Sequence, residues 1–277
     1  MIRLIATDMD GTIIWNHEPV RQVVLDAVKH INDRQGYFAV ATGRDRFLAG
    51  KDSKVFPGGC YTICMNGALI MDKQNNVIHE QLLDKQFIKA MMEAFPNAAL
   101  EYVTKDEKFT TCSKEEMMKH ITRAEGTSQE AHDSYVEFYL SHTQFGTDPK
   151  HILESPILKV NGRISEPDIR EGITKLAEHY AHTVINAPSN PRLFEFTDIN
   201  VNKGEGVDQL RRILGLEEDE VAVYGDGCND LAMLSRFENS YCPADGHKEA
   251  LETAHFIIGK CEDGEVPLHM MKLIDEK

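Results

Sequence analysis

Residues 3–12 read Arg-Leu-Ile-Ala-Thr-Asp-Met-Asp-Gly-Thr, and this stretch decides the fold. The run over 3–7 is short and apolar, as in a buried β-strand, and the residues after it form a polar turn. Asp8 and Asp10 therefore fall at the carboxyl end of a strand. Because ligands of open parallel sheets bind beyond the carboxyl ends of the strands, both aspartates are candidate site residues.

The order of strand, helix and strand continues along the chain, and each strand ends in small polar residues. Apolar residues from Val20 to Ile31 recur at helical spacing. Further elements are predicted as strands over 37–41 and 61–65, a short strand pair around 70 and 77–79, a helix over 203–214, a strand over 220–224 and a helix over 229–235. This order predicts an α/β fold with a Rossmann-like, doubly wound parallel sheet, formed by residues 1–81 and 191–277.

Residues 82–190 show a different pattern. Short alternating runs at Tyr135–Leu140 and Ile157–Val160 predict strands, and Ile169–Tyr180 predicts a helix. We therefore expect an α+β domain inserted into the parallel-sheet domain, and not a linker.

Composition restricts the partners and the compartment. The chain has 45 acidic and 30 basic residues, for a formal charge of -15, so a nucleic-acid backbone would be repelled. No run of 18 apolar residues predicts a membrane span, and Asp8 and Asp10 interrupt the place where a signal peptide would be apolar. The six cysteines form no paired pattern, which favours a reducing, cytoplasmic environment with most thiols buried.

Four polar clusters follow or adjoin predicted strands of the split domain. They consist of Asp8 with Asp10, Thr42, Lys203, and Asp226 with Asp230. An isolated aspartate at a strand end is more often a turn residue, but four clusters at one edge of a sheet favour a common crevice. Several carboxylates there need a cation among them, and hard oxygen ligands select Mg²⁺ over Zn²⁺. Lys203 would add a fixed positive charge for a transferring phosphoryl group, and the Thr42 hydroxyl a hydrogen bond.

These clusters resemble, in order and spacing, the four signature motifs of the haloacid dehalogenase-like hydrolase superfamily. The motifs here are Asp8-Met-Asp-Gly-Thr, Thr42-Gly-Arg, Lys203-Gly and Gly225-Asp-Gly-Cys-Asn-Asp. The large insert and Asn66-Gly-Ala-Leu-Ile are similar to the Cof-type branch, whose members are sugar-phosphate phosphatases and carry a class IIB cap. The resemblance covers nearly the whole chain and implies that the insert is a cap that covers the crevice.

The resemblance also implies roles for individual residues. Asp8 would be the nucleophile that forms an aspartyl-phosphate, and Asp10 would act as general acid and then as general base. The implied Mg²⁺ ligands are Asp8, the backbone carbonyl of Asp10, and Asp226, with Asp230 binding directly or through an intervening group. The implied phosphate-binding residues are Thr42, Gly43, Lys203 and Asn229, and Asn229 would also help to order the site.

The sequence leaves the final phosphoryl acceptor open. Asp10 favours phosphatase or phosphomutase chemistry, because dehalogenase-like members lack an aspartate at that position. We expect hydrolysis of a small phosphorylated metabolite by a monomer or small homo-oligomer. The alternatives are a phosphotransferase or phosphomutase with the same intermediate, or a binding protein on the same fold. One departure from the Cof-type pattern is Pro243-Ala-Asp-Gly-His247, where a Gly-Asn-Ala segment is usual.

Overall fold

The computed structural model describes residues 1–15, 18–123, 128–188 and 193–276. The chain divides into two compact units, the first formed by Met1–Glu80 and Asn200–Lys277 and the second by Gln81–Ile199. The boundary after Glu80 lies within one residue of the predicted boundary between 81 and 82. The boundary after Ile199 differs from the predicted one between 190 and 191, and those two residues lie outside the described part of the chain. The strand Phe194–Asp198 pairs only with strands of the second unit among the described residues, so the insert extends to Ile199.

Helices and strands are numbered along the chain. The strands are β1 (Leu4–Thr7), β2 (Tyr37–Ala41), β3 (Tyr61–Cys64), β4 (Leu69–Met71), β5 (Val77–Glu80), β6 (Leu100–Val103), β7 (Lys108–Phe109), β8 (Lys159–Gly162), β9 (Val184–Asn186), β10 (Phe194–Asp198), β11 (Val221–Tyr224), β12 (Asn239–Pro243) and β13 (Phe256–Ile258). The helices are α1 (Gln22–Asp33), α2 (Arg46–Ser53), α3 (Lys85–Ala94), α4 (Lys114–His120), α5 (Gln129–Ser141), α6 (Pro149–Glu154), α7 (Pro167–His179), α8 (Lys203–Ile213), α9 (Leu231–Arg236), α10 (Lys248–Thr253) and α11 (Glu265–Asp275).

In the described part of the first unit, eight strands form one sheet in the order β13-β12-β11-β1-β2-β3-β4-β5. The strands from β13 to β3 run parallel, and β4 and β5 are antiparallel additions at one edge. β1 lies between β11 and β2, so the strand that leads to Asp8 is central. The parallel core predicted from the sequence is confirmed.

Helices cover both faces of this sheet. Ile5 of β1 packs in a cluster with Val28 of α1 and Met270 of α11. Its neighbours Leu4 and Ala6 pack in another cluster with Val207 and Leu210 of α8. Since alternate side chains of a strand point to opposite faces, β1 is buried on both sides, as the predicted doubly wound fold requires.

The second unit is an α+β domain around a separate apolar core. Within its described residues, five antiparallel strands form a sheet in the order β7-β6-β8-β10-β9. Phe87 and Met91 of α3 and Ile173 of α7 pack with Phe196 of β10. The predicted helix over 169–180 corresponds to α7, and the predicted strand over 157–160 overlaps β8.

The predicted strand at Tyr135–Leu140 is wrong, because these residues lie in α5. Tyr135, Val136, Tyr139 and Leu140 all pack against the core of the second unit. Their spacing places them on one face of a helix. A short apolar run does not distinguish a buried strand from a helical face, and here tertiary packing selects the helix.

Five of the six cysteines are buried and all six are free thiols, as the prediction of mostly buried thiols required. Among the described helices, none combines the length and apolarity needed to cross a bilayer.

Candidate active site

The turn after β1 is attached to β11 and requires a glycine. The Asp8 amide donates to the carbonyl of Tyr224 at 2.9 Å, which links the turn to β11. Gly11 has φ = 86°, and a Cβ there would lie 2.3 Å from Oδ2 of Asp226. Glycine is required at this position by both its left-handed conformation and the close approach of the aspartate.

The loop after β11 carries Asp226 and Asp230. Oδ2 of Asp230 accepts hydrogen bonds from the backbone amides of Asp226 at 3.1 Å and Gly227 at 2.9 Å. Oδ1 of Asp226 accepts a hydrogen bond from the Thr12 hydroxyl at 2.7 Å. Asp230 thus closes its own loop, and Thr12 orients Asp226 from the turn after β1.

Lys203 is the first residue of α8 and is fully buried. Its Nζ donates to Oδ1 of Asp8 and, at 2.6 Å, to Oδ1 of Asp230. A buried ammonium group needs such partners, because removing an unpaired charge from water is very costly. Lys203 therefore joins the loops after β1 and β11 through one buried cation.

The carboxylates of Asp8, Asp226 and Asp230 form an acidic cluster. One oxygen of each lies within 4.8 Å of the others. An all-oxygen set of this kind fits a hard cation such as Mg²⁺. Both oxygens of Asp230 already accept hydrogen bonds from Lys203 or from backbone amides, which suits a residue that orients the set more than one that binds a cation directly.

The electrostatics of the cluster favour a bound cation. Burial raises the pKa of Asp8 to about 7, with a contribution from Asp230, while Lys203 opposes the shift. Burial likewise raises the pKa of Asp226 to about 6. The carboxylates of Asp230 and Asp8 hold the pKa of Lys203 above its usual range, against the effect of burial. Positive charge beyond that of Lys203 would lower both pKa values and so favour the ionised carboxylates.

Thr42 follows β2, which pairs with β1. The Thr42 amide donates to the carbonyl of Ile63 at 2.8 Å, and its own carbonyl accepts from the Asn66 amide at 3.0 Å. A Cβ on Gly43 would lie 3.2 Å from Oδ1 of Asn66, so the backbone at 43 passes close to this side chain. The loop after β2 is thereby attached to the loop after β3.

Asp10 and Asn229 complete the predicted set. Oδ2 of Asp10 accepts a hydrogen bond from Nη2 of Arg44 at 2.5 Å, which connects the loops after β1 and β2. Asn229 is half-buried in the 3₁₀ turn Cys228–Asp230, between Asp226 and α9. The predicted helix over 229–235 thus begins as this turn and continues as α9. The structure groups Asp8, Lys203, Asp226 and Asp230 directly, and it attaches Asp10 to the loop that contains Thr42 and Gly43.

Sequence reasoning quoted three further residues of this region within its motifs but assigned them no role. Arg44 contacts Asp10, Thr12 contacts Asp226, and Asn66 supports Thr42 and Gly43. Their membership of the motifs is the available local signal. Which residue each one contacts depends on the pairing of distant strands.

The segment that departs from the Cof-type pattern is attached to the acidic cluster. The His247 amide donates to the carbonyl of Asp226 at 2.8 Å. The Asp245 carboxylate accepts from the amides of Cys261 at 2.9 Å and Glu262 at 3.2 Å. Asp245 therefore acts in loop packing, and the segment still supports the backbone of Asp226.

Together, the doubly wound sheet, the acidic cluster and the buried lysine define an α/β enzyme with its site at the carboxyl end of a parallel sheet. The family profile described as haloacid dehalogenase-like hydrolase matches residues 5–267. The chain belongs to this family, and the predicted membership and hydrolase class are confirmed.

Related proteins cover the same length. The chain is 27% identical to the putative phosphatase YxeH of Bacillus subtilis, over 92% of each chain. It is 23% identical to the 5-amino-6-(5-phospho-D-ribitylamino)uracil phosphatase YcsE of Bacillus subtilis, over 95% of this chain and 92% of that protein. A haloacid dehalogenase-like hydrolase from B. subtilis superimposes with a TM-score of 0.80 at 21% identity, over 98% of this chain and 99% of that one. The fold therefore extends across both units.

Proposed function

We propose that this protein is a Mg²⁺-dependent phosphatase that hydrolyses a small phosphomonoester through an aspartyl-phosphate on Asp8. The observation that carries the proposal is the acidic cluster beside Lys203, in which carboxylate oxygens of Asp8, Asp226 and Asp230 lie within 4.8 Å of one another. A nucleophilic carboxylate, a place for a hard cation and a fixed positive charge are the groups that phosphoryl transfer requires.

In the first step, an oxygen of Asp8 attacks the phosphorus and forms a P–O bond. The bond between phosphorus and the substrate's alkoxy oxygen breaks, and its electron pair stays on that oxygen. Asp10 donates a proton to the leaving oxygen, so the product is a neutral alcohol. Asp10 lies two residues from Asp8 in the same turn, which suits it to this transfer.

In the second step, water attacks the phosphorus of the aspartyl-phosphate. Asp10, now a carboxylate, accepts a proton from the water, and the bond between phosphorus and Asp8 breaks. Inorganic phosphate leaves, Asp8 returns as a carboxylate and Asp10 returns as an acid. One group serves both steps because the proton it gives in the first is replaced in the second.

Charge stabilisation is divided among several groups of this chain. Lys203 supplies a buried ammonium group beside Asp8, and Thr42 and Gly43 would donate hydrogen bonds to phosphoryl oxygens. Asp8, Asp226 and the backbone carbonyl of Asp10 would hold Mg²⁺, with Asp230 orienting the set. When bound, the cation neutralises negative charge on the phosphoryl group and on the carboxylates.

For the substrate, we propose a sugar phosphate or a related phosphorylated metabolite, with the second unit acting as a cap that selects the leaving group. The name of the relative YcsE supports this class, because the compound in that name carries its phosphate on a polyhydroxylated ribityl chain. We further propose a cytoplasmic location, from the cysteine pattern of the sequence.

The test is release of inorganic phosphate from p-nitrophenyl phosphate and from a panel of sugar phosphates, with and without Mg²⁺. We expect Mg²⁺-dependent release that is abolished by Asp8→Asn, with the circular dichroism spectrum unchanged. Full activity of Asp8→Asn would refute the assignment of the nucleophile. Phosphate migration between hydroxyl groups without release would instead identify a phosphomutase.

A further inference from the structure

The Asp10 carboxylate is held by a residue outside its own turn. Nη2 of Arg44 donates to Oδ2 of Asp10 at 2.5 Å. Arg44 lies in the loop between β2 and α2, and Asp10 in the turn after β1. This contact connects two segments that are 34 residues apart in sequence.

The backbone of Arg44 is held on both sides. Its amide donates to the hydroxyl oxygen of Thr42 at 3.2 Å, and its carbonyl accepts from the Met65 amide at 2.9 Å. Met65 and Asn66 have φ values of 50° and 57°, which are unfavourable for residues with a Cβ. Such strain persists where the surrounding structure requires it, and it is concentrated near functional sites. Here the strained turn carries the amide that holds Arg44.

Stability does not explain this arrangement. The side chains of Arg44 and Asp10 are 29% and 40% exposed, and ion pairs so close to solvent contribute little to folding. The contact is important instead for the orientation of the Asp10 carboxyl group, because proton transfer requires the donor to lie within hydrogen-bond reach of the reacting oxygen. A guanidinium group on one carboxylate oxygen restricts the rotation of the whole carboxyl group.

We propose that Arg44 is a positioning residue that orients the Asp10 carboxyl for proton transfer to the leaving oxygen. The inference rests on the proposed function and adds a specific role to a residue outside the acidic cluster. Arg44 exchanges no proton itself. It fixes the carboxyl group that gives a proton as the bond between phosphorus and the leaving oxygen breaks.

The experiment compares leaving groups. A strongly acidic phenol, such as dinitrophenol, departs as an anion without needing a proton, whereas an alkyl alcohol needs one. We expect Arg44→Gln to lower kcat/KM for an alkyl phosphate by about 100-fold, the scale of general-acid catalysis. For dinitrophenyl phosphate we expect a change of less than about threefold, since the acid contributes little there. Arg44→Lys, which keeps the charge but not the planar geometry, should lose less and show the same dependence.

Arg34→Gln is the matched control. Nε of Arg34 contacts Oδ1 of Asp275 at 2.9 Å, and both side chains are about half exposed, at 56% and 42%. This substitution removes a comparable ion pair in the same unit and should leave kcat/KM unchanged for every substrate.

The outcomes separate the two proposals. An equal loss for all leaving groups in Arg44→Gln and Arg44→Lys, or no loss, in an otherwise active enzyme would overturn the positioning role alone. Absence of phosphate release by the wild-type protein from every substrate would overturn both proposals. If Arg44→Gln does not fold, the same comparison with Arg44→Lys decides the question.

Discussion

Replacement of Lys203 by methionine tests the buried charge cluster most directly. Lys203 is fully buried, and its Nζ lies 2.6 Å from Oδ1 of the equally buried Asp230 and in contact with Asp8. Methionine keeps most of the apolar side chain and removes the charge. The buried carboxylates of Asp8 and Asp230 then lose the ammonium group that pairs with them.

The expected magnitude follows from this geometry. Removing one partner of a buried ion pair typically costs about 3–5 kcal/mol, because the remaining charge stays buried without compensation. At about 2–4 °C per kcal/mol, we expect the unfolding midpoint to fall by roughly 6–20 °C in EDTA. The double variant Lys203→Met/Asp230→Asn should recover at least part of this loss, since it also removes a carboxylate charge. Added Mg²⁺ should recover part of it in the single variant.

The assay is urea and thermal denaturation followed by circular dichroism, with phosphatase activity measured in parallel. Lys29→Met is the matched control, because Nζ of Lys29 lies 2.5 Å from Oδ2 of Asp33 but both side chains are mostly exposed. We expect that control to lie within about 0.5 kcal/mol of wild type. If Lys203→Met in EDTA lies equally close to wild type, the three charges do not form a buried cluster and the reasoning fails.

Three other perturbations test neighbouring contacts. Gly11→Ala should destabilise the protein by about 2 kcal/mol, through its left-handed conformation and its clash with Asp226, and an unchanged urea midpoint would contradict this. Thr12→Val should weaken Mg²⁺ binding by about tenfold in calorimetric titrations because it frees the Asp226 carboxylate, while Thr12→Ser should retain it. Folded-state pKa values of about 7 for Asp8 and about 6 for Asp226 exceed the ordinary value of 3.8, so the stability that their protonated forms contribute in the absence of metal is complete below about pH 4 and is lost progressively as the pH rises to 6–7. Mg²⁺ should therefore raise the melting temperature more at pH 8 than at pH 5. An equal increase in melting temperature at both pH values would be inconsistent with the raised pKa values of Asp8 and Asp226.

The parallel-sheet unit could be predicted well because its signals are local. β2 spans the predicted residues 37–41, and β1 lies within the predicted run 3–7. An apolar strand that stops at a polar turn is recognisable without knowledge of its neighbours. In the second unit the apolar run Tyr135–Leu140 is compatible with either a strand or a helix, and packing of one helical face against the core decided the outcome.

The acidic residues of the site could also be predicted, because carboxyl ends of parallel strands meet at one edge of the sheet. Their partners could not. Arg44 reaches Asp10, and Thr12 reaches Asp226, by contacts whose existence depends on the pairing of β1 with β2 and β11. Neither contact has a spacing or periodicity that could be recognised along the chain.

By itself, the sequence determined the central strand, its two following aspartates and the family to which the protein belongs, since each depends on residues close together in the chain. The tertiary structure decided that Lys203 is buried between Asp8 and Asp230 and that Arg44 holds Asp10. Charge pairing of this kind depends on distance and solvent exclusion, and both arise only when segments far apart in sequence pack together.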